Sequence, residues 1–404
     1  MIAAIEPGKL WGRVKAPSSK SHMHRLLIAA ALSQHPQDDF EETIICSAAR
    51  NADIEATLRC VNALNAVSRW EGDRLQVISS VFWPLSARLN CGESGSTLRF
   101  LLPVCALFQG RFTFTGDGRL PSRPNAPLLE ALRAHGAQIE GDLLPLTVCG
   151  GLESGNFALP GNVSSQYFSG LLFALPLLQG NSTLTYTSPL ESKPYVDLTL
   201  SVLRQFGVRA EETENGWRVP GGQKYVSPGT VEAEGDWSAA AFYLGANALG
   251  SAVAVEGLNA ASCQGDKAVE ALLSQIGGEI DVSDTPDLMP ILSAVAAAVP
   301  GQTTRIVGAA RLRLKESDRL SAMAKTIRAL GGDAVEEPDG LVIHGTQLKG
   351  GTVDGMNDHR VVMSAAIAAT ACQGPVTVLG AEAVNKSYPG FWQDFEALGG
   401  QLHG

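Results

Sequence analysis

PLLEALRAHGAQI (residues 127–139) contains the pattern that decides the fold: an amphipathic helix, a stop at Gly136 and the start of a strand. A glycine after such a helix adopts the left-handed conformation without a Cβ penalty. The same form recurs in IEATLRCVNALNAV (54–67), DLTLSVLRQFGVRA (197–210), AVEALLSQIGGEI (268–280), MAKTIRALGGDAV (323–335) and FWQDFEALGGQL (391–402). The sequence therefore predicts six repeated α/β units.

The spacing of the six stops separates a repeat from chance, since helices that end in glycine are common in any α/β protein. The stops lie about 70 residues apart, with one shorter gap, at Asn65, Gly136, Gly207, Gly277, Gly331 and Gly399. Each unit also has a second, very apolar helix, as in STLRFLLPVCALF (96–108), which predicts that these helices are buried. Six units favour two domains of three units, with a boundary near PGGQKYVSPGT (220–230).

Composition limits the class of protein. The 404 residues are 45% hydrophobic and 18% charged, which indicates a globular protein. A net charge of −10 argues against nonspecific nucleic-acid binding, although a few cations in a cleft can still bind a small anion. Seven widely spaced cysteines favour reduced thiols over disulfides or a zinc site. Because no signal peptide or membrane span is evident, we expect a cytoplasmic location, with no membrane partner and no nucleic-acid partner.

Several helices are entered through polar, mostly basic loops. Examples are KAPSSKSHMHR (15–25), CGESGSTLRF (91–100), GDGRLPSRP (116–124) and VSSQYFSG (163–170). Free N–H groups at helix starts favour anions, so repeated units would line a cleft between two domains for phosphorylated or carboxylated molecules. For the first stretch, a capped helix with a solvated basic end explains the residues equally well.

Two carboxylates stand among the cations of the second half of the chain. Asp287 begins an apolar helix, where N-capping is the structural alternative, and Glu316 lies in RLRLKESDRL (311–320), which could be an exposed salt-bridged face. If the cations line a cleft, these two residues could be its acid and base.

Taken in order, these stretches resemble the 5-enolpyruvylshikimate-3-phosphate synthase family of enolpyruvyl transferases across nearly the whole chain. SKPYVDLTL (192–200), EGDWSAAAF (234–242), PDLMP (286–290), NDHR (357–360) and NKSYPGF (385–391) add to the match. The resemblance implies a two-domain inside-out α/β barrel of six βαβαββ-type units, three per domain, with buried helices and outer sheets. It also implies that residues 1–17 join residues 234–404 in the C-terminal domain, and that residues 18–233 form the N-terminal domain.

The resemblance implies transfer of the enolpyruvyl group of phosphoenolpyruvate to the 5-hydroxyl of shikimate 3-phosphate, with release of phosphate. The enzyme of this resemblance needs no metal or other cofactor, binds small anionic substrates and is expected to be a monomer. Asp287 would be the base, Glu316 the acid, and Lys20 would assist phosphate departure. Shikimate 3-phosphate would contact Lys20, Ser21, Arg25, Ser164, Ser165, Gln166, Ser192, Asp287 and Lys315. Phosphoenolpyruvate would contact Lys20, Gly95, Arg119, Gln166, Arg319, Arg360 and Lys386.

Two positions depart from many members of the family: Glu93-Ser94-Gly95 replaces Asn-Ala-Gly, and Arg311 replaces Asn. They put one shikimate 3-phosphate contact and the charge beside the phosphoenolpyruvate loop in question. Two other functions are weighed against the synthase. A UDP-N-acetylglucosamine enolpyruvyl transferase would have a cysteine in the loop at 116–124, which this chain lacks. A non-catalytic anion-binding relative would bind shikimate 3-phosphate without releasing phosphate.

Overall fold

A computed structural model describes residues 1–34, 40–80 and 83–403 of the chain. The chain divides into two compact units: Lys20–Ala233, termed the N-terminal domain, and Met1–Ser19 together with Glu234–Gly404, termed the C-terminal domain. Each domain has its own hydrophobic core, and neither core contains residues of the other domain. The domains are therefore described separately.

The described residues form 12 α-helices and 22 strands. The helices are α1 Lys20–Leu32, α2 Ala52–Ala63, α3 Gly95–Cys105, α4 Ala126–Ala134, α5 Ser165–Ala174, α6 Lys193–Gln205, α7 Trp237–Ala248, α8 Val269–Leu273, α9 Met289–Ala297, α10 Arg319–Ala329, α11 His359–Ala369 and α12 Phe391–Ala397. The first strands are β1 Ile2–Glu6, β2 Trp11–Lys15, β3 Phe40–Cys46, β4 Val67–Glu71, β5 Arg74–Ser80, β6 Ser86–Asn90, β7 Arg111–Thr115, β8 Ile139–Glu140, β9 Leu146–Val148, β10 Asn156–Leu159 and β11 Ser182–Tyr186. The remaining strands are β12 Glu211–Thr213, β13 Gly216–Val219, β14 Thr230–Glu232, β15 Ala252–Glu256, β16 Glu279–Asp281, β17 Thr303–Val307, β18 Asp333–Glu337, β19 Gly340–His344, β20 Gly351–Asp354, β21 Val376–Leu379 and β22 Gln401–His403.

The strands form six sheets, three in each domain, which confirms the six predicted units. The N-terminal domain has the orders β14-β3-β5-β4, β6-β7-β9-β8 and β10-β11-β13-β12, and the C-terminal domain has β16-β17-β19-β18, β20-β21-β1-β22 and the pair β15-β2. In each four-stranded sheet the first two strands run parallel and the other pairs run antiparallel, as in the pairing of β6 with β7 and of β7 with β9. Each sheet is open in its strand order, so no closed barrel is present among the described strands.

The six predicted stops have the backbone conformation that the sequence pattern requires. The φ angles are positive at all of them: 72° at Asn65 and between 77° and 96° at the five glycines. Each stop ends an amphipathic helix (α2, α4, α6, α8, α10 or α12) and is followed by a strand within a few residues. The local rule that predicted the repeat therefore operates in every unit.

The second, apolar helix of each unit is buried, as the sequence predicted. Every residue of α9 and of α11 is buried, and so are 10 of the 11 residues of α3. Close packing of two such helices depends on Gly170 of α5, where an added Cβ would lie 2.2 Å from the carbonyl oxygen of Arg99 on α3. Because real Cβ atoms do not approach so closely, only glycine lets these two helices meet.

Candidate active site

Lys20, the first residue of α1, is paired within the N-terminal domain. Its Nζ lies 2.8 Å from Oδ2 of Asp53 on α2, and both side chains are largely buried. Asn51 caps α2 by accepting a hydrogen bond from the backbone N–H of Ile54 at 2.9 Å, which fixes the start of the helix that carries Asp53. Asp53 was not singled out from the sequence, because nothing local indicated that it would meet a residue 33 positions earlier.

Arg25 is almost fully buried and donates hydrogen bonds to acceptors on α1 and α6 of its own domain. Its Nη1 donates to the carbonyl oxygen of Ser21, four residues earlier on α1, at 2.6 Å. Its Nε donates to Oγ1 of Thr199 at 2.8 Å, and its Nη2 donates to the carbonyl oxygen of Tyr195 at 2.7 Å. These bonds tie α1 to α6, so Arg25 has a structural role whether or not it also contacts a ligand.

Gly95, the first residue of α3, has a guanidinium directly above it. A Cβ added at Gly95 would lie 2.9 Å from Nη1 of Arg123, and the Arg123 side chain is buried. Arg119, which the resemblance selected from the same loop, is exposed. The geometry therefore favours Arg123 over Arg119 as the cation beside Gly95. The sequence could not distinguish the two arginines, because they lie in the same loop.

The side chain of Gln166, on α5, is held by two residues of α3. Arg99 Nη1 donates to Gln166 Oε1 at 2.8 Å, and Gln166 Nε2 donates to Ser96 Oγ at 2.8 Å. Arg99 also donates through Nε to Asn125 Oδ1 at 3.0 Å, just after the loop that carries Arg123. The loop, α3 and α5 are thus joined through one arginine.

Three of the four serines predicted for shikimate 3-phosphate stand at the starts of α5 and α6, and the fourth, Ser21, lies on α1. Ser164 caps α5, because its Oγ accepts from the backbone N–H of Gln166 at 3.3 Å, and Ser165 follows as the first helical residue. Ser192 precedes α6 in the left-handed region, with φ of 56°. A positive φ at a non-glycine residue costs free energy, and such residues concentrate at functional sites.

The C-terminal cluster consists of Asp287, Glu316, Arg319, Asp358 and Arg360. Arg319 lies at its centre and is 1% exposed. Its Nε is 2.9 Å from Oδ2 of Asp358, its Nη1 is 2.8 Å from Oδ1 of Asp287, and its Nη2 is 2.9 Å from Oε2 of Glu316. One guanidinium therefore holds both carboxylates that were predicted to be the base and the acid.

Helix starts position the members of this cluster. Asp358 caps α11 by accepting from the backbone N–H of Arg360 at 3.0 Å, and Ser317 Oγ donates to its other oxygen at 2.9 Å. Asp318 caps α10 by accepting from the backbone N–H of Ser321 at 3.1 Å, which sets the first residue of that helix, Arg319, in place. Asp358 was part of the quoted NDHR stretch but was not predicted as a site residue.

Asp287 does not cap a helix. It lies in the 3-10 turn Pro286–Leu288 before α9, where Thr285 and Leu288 occupy the N-cap positions, and its two oxygens face Arg319 and Arg360. Burial acts to raise the pKa of Asp287, but Arg360, Arg319 and Lys315 outweigh it and hold that pKa well below its usual value. The capping alternative raised from the sequence is wrong.

Two groups near Asp287 titrate close to neutral pH. Burial lowers the pKa of Lys315 to about 7 against the opposing charge of Asp287. Burial and the charge of Asp287 raise the pKa of Asp266 to about 7, while Arg360 and the hydroxyl of Ser238, which donates to Asp266, act to lower it. Shifted pKa values of this kind concentrate at functional sites.

Lys386, predicted for phosphoenolpyruvate, and Arg311, which departs from the family pattern, each donate to a backbone carbonyl oxygen. Lys386 Nζ donates to the carbonyl oxygen of Asn357 at 2.6 Å, next to the cap of α11. Arg311 is buried and donates through Nη2 to the carbonyl oxygen of Ser283.

Across the described ranges, no group of three or more His, Cys, Asp or Glu side chains could hold a metal ion. None of the helices described is long and apolar enough to cross a membrane.

The fold assigns the chain to the class of enolpyruvyl transferases. An EPSP synthase from Acinetobacter baumannii has a TM-score of 0.82 at 26% identity, with 100% of both chains covered. The enolpyruvyl transferase NikO from Streptomyces tendae shares the fold, with a TM-score of 0.77 at 17% identity over 100% of this chain and 98% of its own.

The sequence comparisons narrow this class to one family. The family model of EPSP synthase (3-phosphoshikimate 1-carboxyvinyltransferase) matches residues 5–287 and 277–395. The 3-phosphoshikimate 1-carboxyvinyltransferase of Clostridium kluyveri is 40% identical over 427 residues, which cover 99% of this chain and 97% of that protein. The protein of the same name from Halobacterium salinarum is 38% identical over 438 residues and 100% of both chains. The chain belongs to the EPSP synthase family.

Proposed function

We propose that the protein transfers the enolpyruvyl group of phosphoenolpyruvate to the 5-hydroxyl of shikimate 3-phosphate and releases phosphate. Family membership supports this reaction, and the observation that carries the chemistry is the pair of carboxylates, Asp287 and Glu316, held on one arginine. The family match gives no support to a transferase acting on UDP-N-acetylglucosamine. The pairing also argues against a purely anion-binding protein, because two carboxylates compete with an anion for the guanidinium of Arg319.

The reaction needs a proton donor at C3 of phosphoenolpyruvate and a proton acceptor at the 5-hydroxyl. When Glu316 protonates C3, positive charge develops at C2, and the hydroxyl oxygen attacks there as Asp287 takes its proton. The product of this addition is a tetrahedral ketal. In the second step Glu316, now a carboxylate, would take a proton from C3 as the C2–O bond to phosphate breaks, which restores the double bond and the acid. Lys20 would stabilise the departing phosphate.

Cations in both domains are assigned to the two anions. In the C-terminal domain, Arg319, Arg360 and Lys386 are assigned to phosphoenolpyruvate, and Lys315 is assigned to shikimate 3-phosphate. In the N-terminal domain, Arg123 joins Gly95, Lys20 and Gln166 for phosphoenolpyruvate, since its guanidinium lies against Gly95; Arg119 is retained from the resemblance. Shikimate 3-phosphate is assigned to Lys20, Ser21, Arg25, Ser164, Ser165, Gln166, Ser192 and Asp287.

The test is an assay of phosphate release from phosphoenolpyruvate with and without shikimate 3-phosphate. Phosphate should appear only when both substrates are present, and a chelator should leave the rate unchanged. UDP-N-acetylglucosamine in place of shikimate 3-phosphate is the control for the alternative acceptor. Turnover with that nucleotide sugar, and none with shikimate 3-phosphate, would refute the proposal.

A further inference from the structure

Asp287, the proposed base, is paired through both carboxylate oxygens. Arg319 Nη1 lies 2.8 Å from Oδ1, and Arg360 Nη2 lies 2.8 Å from Oδ2. Arg360 Nη1 also donates to the backbone carbonyl oxygen of Asp287 at 3.1 Å. A carboxylate that two guanidinium groups stabilise in this way is a poor proton acceptor, because accepting a proton would give up both interactions.

The cluster has one fixed end and one exchangeable end. Asp358 is 0% exposed, caps α11 and anchors Arg319 through Nε. The partners of the two Nη groups, Asp287 and Glu316, have side chains that are 18% and 16% exposed. A new anion can therefore reach the Nη groups while Asp358 keeps the guanidinium in place. A guanidinium also matches a phosphate or carboxylate as well as it matches Asp287.

We propose that ligand exchange activates Asp287 as a base. Phosphoenolpyruvate takes Arg319 and Arg360 from Asp287, which can then accept a proton. This inference rests on the proposed function, because it uses the assigned substrate. No covalent bond changes in this step; two ion pairs to protein are replaced by two ion pairs to substrate. Asp287 would then become a competent base only when phosphoenolpyruvate is bound, which couples binding of that substrate to the chemistry.

The electrostatic surroundings of Asp287 decide what happens after the exchange. The charged or titratable groups that face it are Arg319, Arg360, Lys315, Glu316 and Asp266. With both arginines turned toward the substrate, burial and the acids Glu316 and Asp266 remain to raise the pKa of Asp287, opposed by Lys315. The freed carboxylate therefore regains an affinity for protons that it lacks while paired.

The exchange makes Asp287 a competitor of phosphoenolpyruvate, so removing its charge should strengthen binding. We would measure the affinity for phosphoenolpyruvate alone by calorimetry, without shikimate 3-phosphate so that no turnover occurs. At about pH 8, Asp287→Asn should bind at least about tenfold more tightly than the wild type, the gain expected when a ligand no longer has to displace a paired carboxylate.

The control variant is Asp266→Asn, which separates exchange from simple repulsion. Asp266 also faces Arg360, but its described side-chain bond is to Ser238, and a pKa of about 7 leaves it mostly charged at pH 8. Repulsion alone predicts similar gains for both variants, whereas exchange predicts a large gain only for Asp287→Asn. A comparable gain in Asp266→Asn would overturn the inference, as would weak or undetectable binding by Asp287→Asn.

Lowering the pH gives a second readout. Because the freed Asp287 regains an affinity for protons, the advantage of Asp287→Asn should shrink as the pH is lowered from about 8, while the titration of the ligand itself is common to both proteins. An advantage that does not change with pH would mean that Asp287 stays paired, against the inference. If the wild type releases no phosphate when both substrates are present, the proposed function is wrong. If it turns over but Asp287→Asn binds phosphoenolpyruvate no more tightly, only the exchange is wrong.

Discussion

Replacing Arg319 with methionine should destabilise the C-terminal domain more than any surface change in the same segment. The guanidinium is 1% exposed and compensates Asp358, Asp287 and Glu316 at 2.8–2.9 Å. Methionine keeps much of the side-chain volume but leaves these carboxylates without that cation. Breaking a buried ion pair by removing one partner costs about 3–5 kcal/mol, so we expect a loss in that range at pH 7.

Arg313 offers a matched control. It lies six residues earlier, bridges Asp318 and Glu336, and has a side chain that is 28% exposed. Partly exposed pairs contribute roughly 0–1 kcal/mol, so Arg313→Met should cost no more than about 1 kcal/mol. Denaturant unfolding would give the free energies, and hydrogen exchange at the amides of α10 and α11 would assign the loss to the C-terminal domain.

The pH dependence separates this electrostatic explanation from a packing defect. In the wild type, burial acts to raise the pKa values of Asp287 and Asp358, but the arginines hold both below their usual values. That stabilisation is present above the unfolded pKa of about 3.9 and is lost as the pH falls through the lower folded values. In Arg319→Met the same acids are buried with less compensation, so their pKa values rise and protonation relieves the cost. The loss should therefore shrink from pH 7 to about pH 5; a loss that is equal at both pH values, or equal to that of Arg313→Met, would refute the reasoning.

Three further outcomes follow from the sites. Asp287→Asn and Glu316→Gln should remain folded and lose at least about a hundredfold in turnover rate. Because its proton donor is gone, Glu316→Gln should also lose most deuterium incorporation at C3 in deuterated water. If either variant turns over within a few-fold of the wild type, that residue takes no part in the chemistry. Arg123→Gln should raise the KM for phosphoenolpyruvate more than Arg119→Gln, because of the two side chains only that of Arg123 is buried. Steady-state kinetics would measure both KM values. The reverse order would contradict a role for Arg123 beside Gly95. Burial lowers the pKa of Lys315 to about 7, so its charge disappears as the pH rises from about 6 to 8. Over that interval the affinity for shikimate 3-phosphate should fall in the wild type relative to Lys315→Met. If the affinities of the two proteins change in parallel with pH, Lys315 does not bind shikimate 3-phosphate.

The repeat could be predicted from sequence because its determinants are local. The conformation of a stop such as Gly136 depends on the residue itself and the helix before it, and positive φ is found at all six stops. The burial of α9 and α11 was likewise visible in their composition. Periodicity and glycine placement act over a few residues, so their effects can be predicted without knowledge of the tertiary structure.

The partners of the site residues could not be predicted, because they are brought together by packing between units. Arg360 meets Asp287 across 73 residues of sequence, and Arg319 meets Asp358 across 39. The sequence indicated acids and cations in plausible numbers but gave no distance between them. It therefore left Asp287 open as a helix cap, whereas Thr285 and Leu288 occupy the cap positions and Asp287 pairs with two arginines.

The first strand of the chain has a consequence for the order of folding. Ile2–Glu6 lies between β21 and β22, pairing Ile5 with both Val376 and Leu402. That sheet can be completed only when almost the whole polypeptide has left the ribosome, whereas Lys20–Ala233 contains every strand of its own three sheets. Domains generally fold as units during synthesis, and pairing between distant segments is slow. We therefore expect the domain that carries the proposed acid and base to complete its sheets later, because β1 pairs with a strand made about 370 residues after it.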